Sequence, residues 1–155
     1  MLGSAILLHV VGIVIWVGGM FFAYMVLRPV AASQLEPPAR LTLWNGVFGL
    51  FFPWVWTSIV AVLGTGFWLI FAKYGGMGGS PLFVHAMLGL GIVMMLIFMH
   101  VFFAPYGRLR RAVAAQDWPA GGKALAQIRA MVGINTLIGI VTIAIGAGGR
   151  YLIPA

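Results

Sequence analysis

The sequence predicts an all-α integral membrane protein: a bundle of four membrane-spanning helices with both termini on the outer side. Composition is the first reason. Of 155 residues, 63% are hydrophobic and only 7% are charged, whereas a soluble domain carries about a quarter charged residues. Patterning is the second. Residues 2–27, 47–72, 81–105 and 131–147 contain no Asp, Glu, Lys or Arg, and most of these runs exceed the ~20 residues that cross a bilayer. Charge placement is the third. Arg28 and Arg40 fall in the first loop and Arg108, Arg110, Arg111, Lys123 and Arg129 in the third, against Lys73 and Arg150 on the other side. Cations concentrate on the cytoplasmic face, so both basic loops are expected there.

The spans are expected at residues 3–28, 47–73, 81–104 and 124–150, in one domain covering 1–155. The first lacks a basic leader and is longer than the ~7–15 apolar residues of a cleaved signal, so it reads as a helix. The following loop, RPVAASQLEPPARLTLW, carries Pro37-Pro38, after which residues 39–45 are expected to form a short interfacial helix. In the second span Pro53 is expected to bend the first turn, and Ser58, Ala61 and Thr65 form a small-residue face. KYGGMGGSPL reads as a glycine turn in which Ser80 caps the third span and Pro81 occupies its first turn. The loop RRAVAAQDWPAGGKALAQIR is expected to break at Pro119-Ala-Gly-Gly, with Asp117 as a cap. The fourth span reaches full length only by extension through 124–128 and 148–153. It carries a stripe of Asn135, Gly139, Thr142, Gly146 and Gly149 suited to close helix packing, within the bundle or across a homo-oligomer. Trp44, Trp54, Trp56, Trp68, Tyr74 and Trp118 sit where an aromatic belt is expected. With no cysteine, disulfides, thiolate metal sites and iron–sulfur clusters are excluded.

Histidine is rare inside membrane helices, and here there are three. At 1.5 Å per residue, His9 lies roughly 10 Å into the first span and His85 roughly 6 Å into the third, so both fall in the outer leaflet. His100 lies about 22 Å deeper than His85 and cannot share a metal with it. Gly12 at i+3 from His9 and Gly89 at i+4 from His85 leave flat space beside each imidazole, and Trp16 supplies an aromatic wall below His9. Two imidazoles with clearance on facing helices are what an axially ligated macrocycle requires. The alternative is that both histidines only hydrogen-bond within the bundle, the glycines serving close packing.

The stretch HAMLGLGIVMMLIFMH, residues 85–100, adds Met87, Met94, Met95 and Met99. Thioethers are adaptable core packing, and with imidazole they also suit Cu(I). His100 reads either as an interfacial hydrogen-bonding residue or as a contact for a quinone, a second haem or a copper ion. Asn135 is expected to bond a buried histidine or to tie two helices together.

The blocks LLHVVGIVIWVGGMFFAYMVLRP and PLFVHAMLGLGIVMMLIFMHVFFAPYGRLRRAV resemble the CopD superfamily of bacterial inner-membrane proteins, in its short single-domain members, over nearly the whole chain. The pattern H-x-x-G-x-x-x-W-x-G-G at residues 9–19 also resembles the HemJ protoporphyrinogen oxidases, which are associated with b-type haem. Where those proteins carry a lysine two residues after the histidine of the third span, this chain has Met87. The resemblance implies a bacterial inner-membrane location. Together these readings lead to the expectation of a haem b protein that transfers electrons, with His9 and His85 as axial ligands, Gly12, Trp16, Gly89 and Asn135 as further cofactor-binding residues, and His100 as a cofactor contact at the other end of the third span. Such a protein, whether or not an oxidoreductase in its own right, needs a quinone or another redox partner. The alternative implied by the family name is copper uptake, with His9, His85, His100, Met87, Met95 and Met99 as ligands; a third is a structural subunit without pigment or metal. The basic charges sit in short loops, which excludes nucleic acid and points to anionic lipid of the surrounding bilayer.

Overall fold

In the bilayer interior a backbone amide has only its own helix or a closed barrel to bond to, and this chain takes the helical solution. The computed structural model describes residues 1–152, with no strand among them. Four helices are long and apolar enough to cross a membrane.

Helix α1 runs Leu2–Gln34. Its middle is wound more widely, with π-helical stretches at Val14–Gly18 and Phe22–Leu27. Such windows often accompany functional sites, and this one carries the buried side chains of Trp16, Val17, Met20 and Ala23. Helix α2 spans Pro37–Tyr74 without interruption. The separate interfacial helix expected over 39–45 is therefore its first two turns. Leu41, Trp44 and Phe48 recur on one buried face and carry the helix onward, while Pro37 at the start gives up only an N–H that has no intrahelical partner anyway. Trp44, expected in an interfacial belt, is only 4% exposed and belongs to the core; Trp54 and Trp68 do face outward.

Gly75 and Gly76, both at positive φ, turn the chain into a single 3-10 turn, Met77–Gly79. Helix α3 then spans Leu82–Phe103, with Pro81 in the capping position. Ser80 does not cap it; its hydroxyl donates back to the Gly76 carbonyl at 3.0 Å. A residue before proline is disfavoured in helical conformation, and Ala104 (φ −101°, ψ −83°) breaks α3 from the short basic helix α4, Pro105–Ala114. Gln116 at φ 56° closes α4. Asp117 Oδ1 accepts the Ala120 N–H at 3.0 Å and opens helix α5, Trp118–Leu152. The break expected at Pro119-Ala-Gly-Gly thus falls just before it. Pro119 is tolerated in a first turn, and Gly121 lets Leu41 of α2 approach. The expected continuation to Ile153 passes beyond the described residues, as does the side chain of Arg150.

The helices pair antiparallel, α1 along α2 and α3 along α5, while α4 folds back on the basic end of α5. Bulky apolar side chains such as Leu50 and Val60, 79% and 70% exposed, cover the outside and suit lipid. Inside, the basic half is filled by aromatic rings: Phe48 stacks on Phe52 at 5.1 Å, and Tyr106 meets Phe52 edge-on at 4.8 Å.

The α3–α5 seam gives a direct check. A Cβ on Gly149 would stand 2.6 Å from Phe83 Cβ, whereas one on Gly91 meets nothing within 4 Å. Gly149→Ala is expected to destabilise the bundle by roughly 1–3 kcal/mol through overpacking, and Gly91→Ala to be neutral or stabilising by up to ~1 kcal/mol. Unfolding of both variants in detergent measures the difference.

Candidate functional site

The small-residue stripe of α5 makes room for sulfur. Where a Cβ on Gly146 would stand, Met87 Sδ of α3 lies 2.7 Å away. Two turns further, Gly139 faces the Met94 methyl, and Met94 Sδ sits 4.0 Å from Thr142 Oγ1, one turn from Gly146. The Thr142 proton is committed to the Ile138 carbonyl at 2.8 Å. Then Asn135 Nδ2 donates to Met20 Sδ of α1 at 3.6 Å. Met87, Met94 and Met20 therefore follow one another along a single face of α5, over about 16 Å from the level of Gly146 to that of Asn135.

Asn135 anchors the inner end. It is 2% exposed, and its amide nitrogen also donates to the Met94 carbonyl at 3.3 Å. Its partners are thus a methionine sulfur and a backbone carbonyl on two other helices, and the expected bond to a histidine is absent. Two acceptors facing Nδ2 fix the orientation of the amide and leave Oδ1 without a partner among the described residues.

His9 belongs to a different contact. Its Nδ1 lies 2.9 Å from Thr65 Oγ1 on α2, and the Thr65 hydroxyl proton is already donated to the Ala61 carbonyl at 2.6 Å. A hydroxyl has one proton, so His9 donates from Nδ1 and keeps its Nε2 lone pair free, the tautomer that a metal-ligating imidazole needs. Gly66 allows the ring to lie against α2: a Cβ there would come within 3.2 Å of His9 Cε1. His85 is exposed, and its Nδ1 lies 3.2 Å from the Pro81 carbonyl, so its Nε2 is free as well.

Depth and direction part company for this pair. Val17 packs at Gly139 and Met87 at Gly146; counting 1.5 Å per residue from these contacts puts His9 and His85 within about 2 Å of one level. Yet His9 turns toward α2 while His85 points outward from the α3–α5 pair. The flat space expected at Gly12 is filled, because a Cβ there would meet Val62 Cγ2 at 3.0 Å and the Ser58 carbonyl at 3.4 Å. Gly12 serves helix packing. Gly89 is exposed with nothing near it. Trp16 is not a wall for His9; it is buried against Phe98, ring centroids 6.3 Å apart. His100 is exposed, Met95 buried and Met99 half-buried, and none of them joins the α5 face described above.

Of the six residues expected to serve copper, only Met87 is in the thioether row. Met94 and Met20 complete it. The signal for Met94 was its spacing of seven from Met87, two full turns on one face; for Met20 it was the four-residue step from buried Trp16. Among the described residues no three imidazole, carboxylate or thiol groups converge as a metal centre.

The family model for CopD, copper resistance protein D, matches residues 45–148. No curated protein and no solved structure matches the chain. The chain belongs to the CopD family and is a multi-pass membrane protein of that family. The matched region holds α3, most of α2 and most of α5, but not α1 with His9 and Trp16, the helix on which the likeness to HemJ rests.

Two outcomes follow from the histidine geometry. In ¹⁵N-histidine spectra of protein in detergent, His9 is expected as the neutral Nδ1–H form, and Thr65→Val removes its acceptor at a cost of about 1–3 kcal/mol. A dominant Nε2–H signal in the wild type rejects the arrangement. Gly12→Ala is expected to lower thermal stability, whereas Gly89→Ala leaves it unchanged or raises it.

Proposed function

From membership of the CopD family and the row of thioethers against α5, we propose that this protein binds Cu(I) within the membrane and moves it from the outer side to the middle of the bundle along Met87, Met94 and Met20. The single observation that carries this reading is the alignment of three thioethers on one helix face. Cu(I) is soft and takes thioether and imidazole ligands; hard ions need oxygen donors. The only acids, Glu36 and Asp117, stand outside the membrane helices, one before α2 and one before α5. Neutral sulfur ligands in successive steps favour exchange of the ion between sites over a single tight trap.

His9 and His85 share the depth of Met87 and each has Nε2 available, but neither ring faces the row; in this reading they are at most entry ligands that hand the ion on. The basic loops and α4 then face the cytoplasm by the positive-inside rule, against anionic lipid. Copper is cargo in this scheme and keeps its monovalent state, so no electron donor is needed.

A second reading, a b-type haem on His9 and His85, is favoured by one observation, the free Nε2 on both rings. The surroundings do not fit it. Val62 fills the space at Gly12, the two imidazoles face different ways, and neither lines either of the two cavities described. An electron-transfer role with a quinone partner would rest on that haem.

Competition of purified protein against a Cu(I) chelator, with an absorption spectrum of the same sample, separates the readings. The expected result is a colourless protein that takes up Cu(I) stoichiometrically. Met20→Leu with Met94→Leu, which keeps volume, lowers affinity at least about tenfold, or 1.4 kcal/mol, while His100→Ala leaves it unchanged. Unaltered affinity in the double methionine variant overturns the proposal. A red protein whose split visible bands vanish in His9→Ala hands the case to haem.

A further inference from the structure

Two polar atoms in the middle of the bundle have no role in the copper reading. Trp16 is 3% exposed and Asn135 2% exposed, and neither Trp16 Nε1 nor Asn135 Oδ1 has a hydrogen-bond partner among the described residues. Both residues line one cavity of about 20 Å³, otherwise walled by apolar groups such as Phe48, Phe52, Val55 and Phe98. Buried polar groups in native proteins are almost always bonded, to protein or to ordered water.

The chemistry of the two atoms restricts what bonds them. An indole N–H only donates, and an amide oxygen only accepts. Asn135 cannot exchange its ends, because Nδ2 is held by the Met94 carbonyl and Met20 Sδ. A guest that serves both atoms from the cavity they share has to accept from Trp16 and donate to Asn135. A cation satisfies the amide oxygen but faces the wrong end of the indole N–H dipole. A carbonyl group accepts but has nothing to donate, and an apolar guest does neither. A hydroxyl does both. Size selects among hydroxyls, since about 10–15 Å³ of such space holds one water and the cavity has little more. Two phenylalanines, a valine and an indole ring leave no room for a larger alcohol without displacement of the core.

We propose that this cavity is a binding site for a single water, which accepts from Trp16 Nε1–H and donates to Asn135 Oδ1. The inference rests on the donor and acceptor count and not on the copper reading. It places a bound oxygen at the inner end of the thioether row, where Met20 and the aromatic core meet. It also gives Trp16 a polar function inside the π-wound stretch of α1 in addition to its packing on Phe98.

The test is NMR of ¹⁵N-tryptophan-labelled full-length protein in detergent micelles, with the Trp16 indole signal identified by its loss in Trp16→Phe. The expected result is a hydrogen-bonded, downfield Trp16 indole N–H with a direct cross-peak to a long-lived water. In Asn135→Leu that cross-peak is lost and the signal moves upfield, while the other five indole signals keep their dispersion. A wild-type Trp16 signal without a water cross-peak overturns the proposal, whether or not Asn135→Leu folds. So does a cross-peak that persists unchanged in folded Asn135→Leu. Titration with Ag(I), as a stand-in for Cu(I), adds an arm: a Trp16 signal that lacks water contact and responds only to the metal means an ion site without water, and also overturns it. Loss of metal binding with the water cross-peak intact would count against the copper reading alone.

Discussion

Everything inside this bundle depends on how closely α5 approaches α1 and α3. Lipid tails are as apolar as leucine, so no hydrophobic gain separates a helix–helix contact from a helix–lipid contact, and association rests on van der Waals fit and a few polar bonds. The glycines at 139, 146 and 149 provide that fit. Each is opposed by a side chain that would collide with a Cβ: Val17 and Met94 at Gly139, Met87 at Gly146, Phe83 at Gly149. Asn135 adds the polar bonds that fix register among three helices. Methionine suits such a seam because it is unbranched and fills irregular gaps. The same close contact places the sulfur atoms in a row.

The two halves of the membrane region are built differently. The half that carries the chain termini holds the glycine seam of α5, with Met87 and Met94 against it. The basic half is packed with rings, from Trp16 and Phe98 through Phe52 to Tyr106. In the proposed copper reading, an ion that reached Met20 would meet an aromatic seal at the Trp16–Phe98 contact. The π-wound part of α1 lies at this level.

Much of the fold was legible because the bilayer reduces the choice of structure to helix and length. The four charge-free runs mark the four crossing helices, and Asp117 was recognisable as a cap. What escaped was set by packing. Residues 39–45 look interfacial from their prolines, but Leu41 and Trp44 are buried and extend α2 through them. Pro119-Ala-Gly-Gly reads as a break, yet proline costs nothing in a first turn and Gly121 is needed beneath Leu41. The site was half legible. The stripe on α5 and the methionines were both visible, but which methionines meet the stripe depends on the rotation of α3 about its axis, and that is a tertiary property.

The histidines make the same point more sharply. Sequence counting gives depth, and by depth His9 and His85 match. It does not give azimuth, and by azimuth they part, one held by Thr65 on α2 and the other by its own helix at Pro81. A macrocycle needs a plane of free space between its ligands, so a mismatch in azimuth and a filled gap at Gly12 count heavily against it. A single ion needs only points of contact along a path. Packed helices offer points more readily than planes, and this bundle offers them as three sulfurs against α5 and two imidazole lone pairs near the level of Met87.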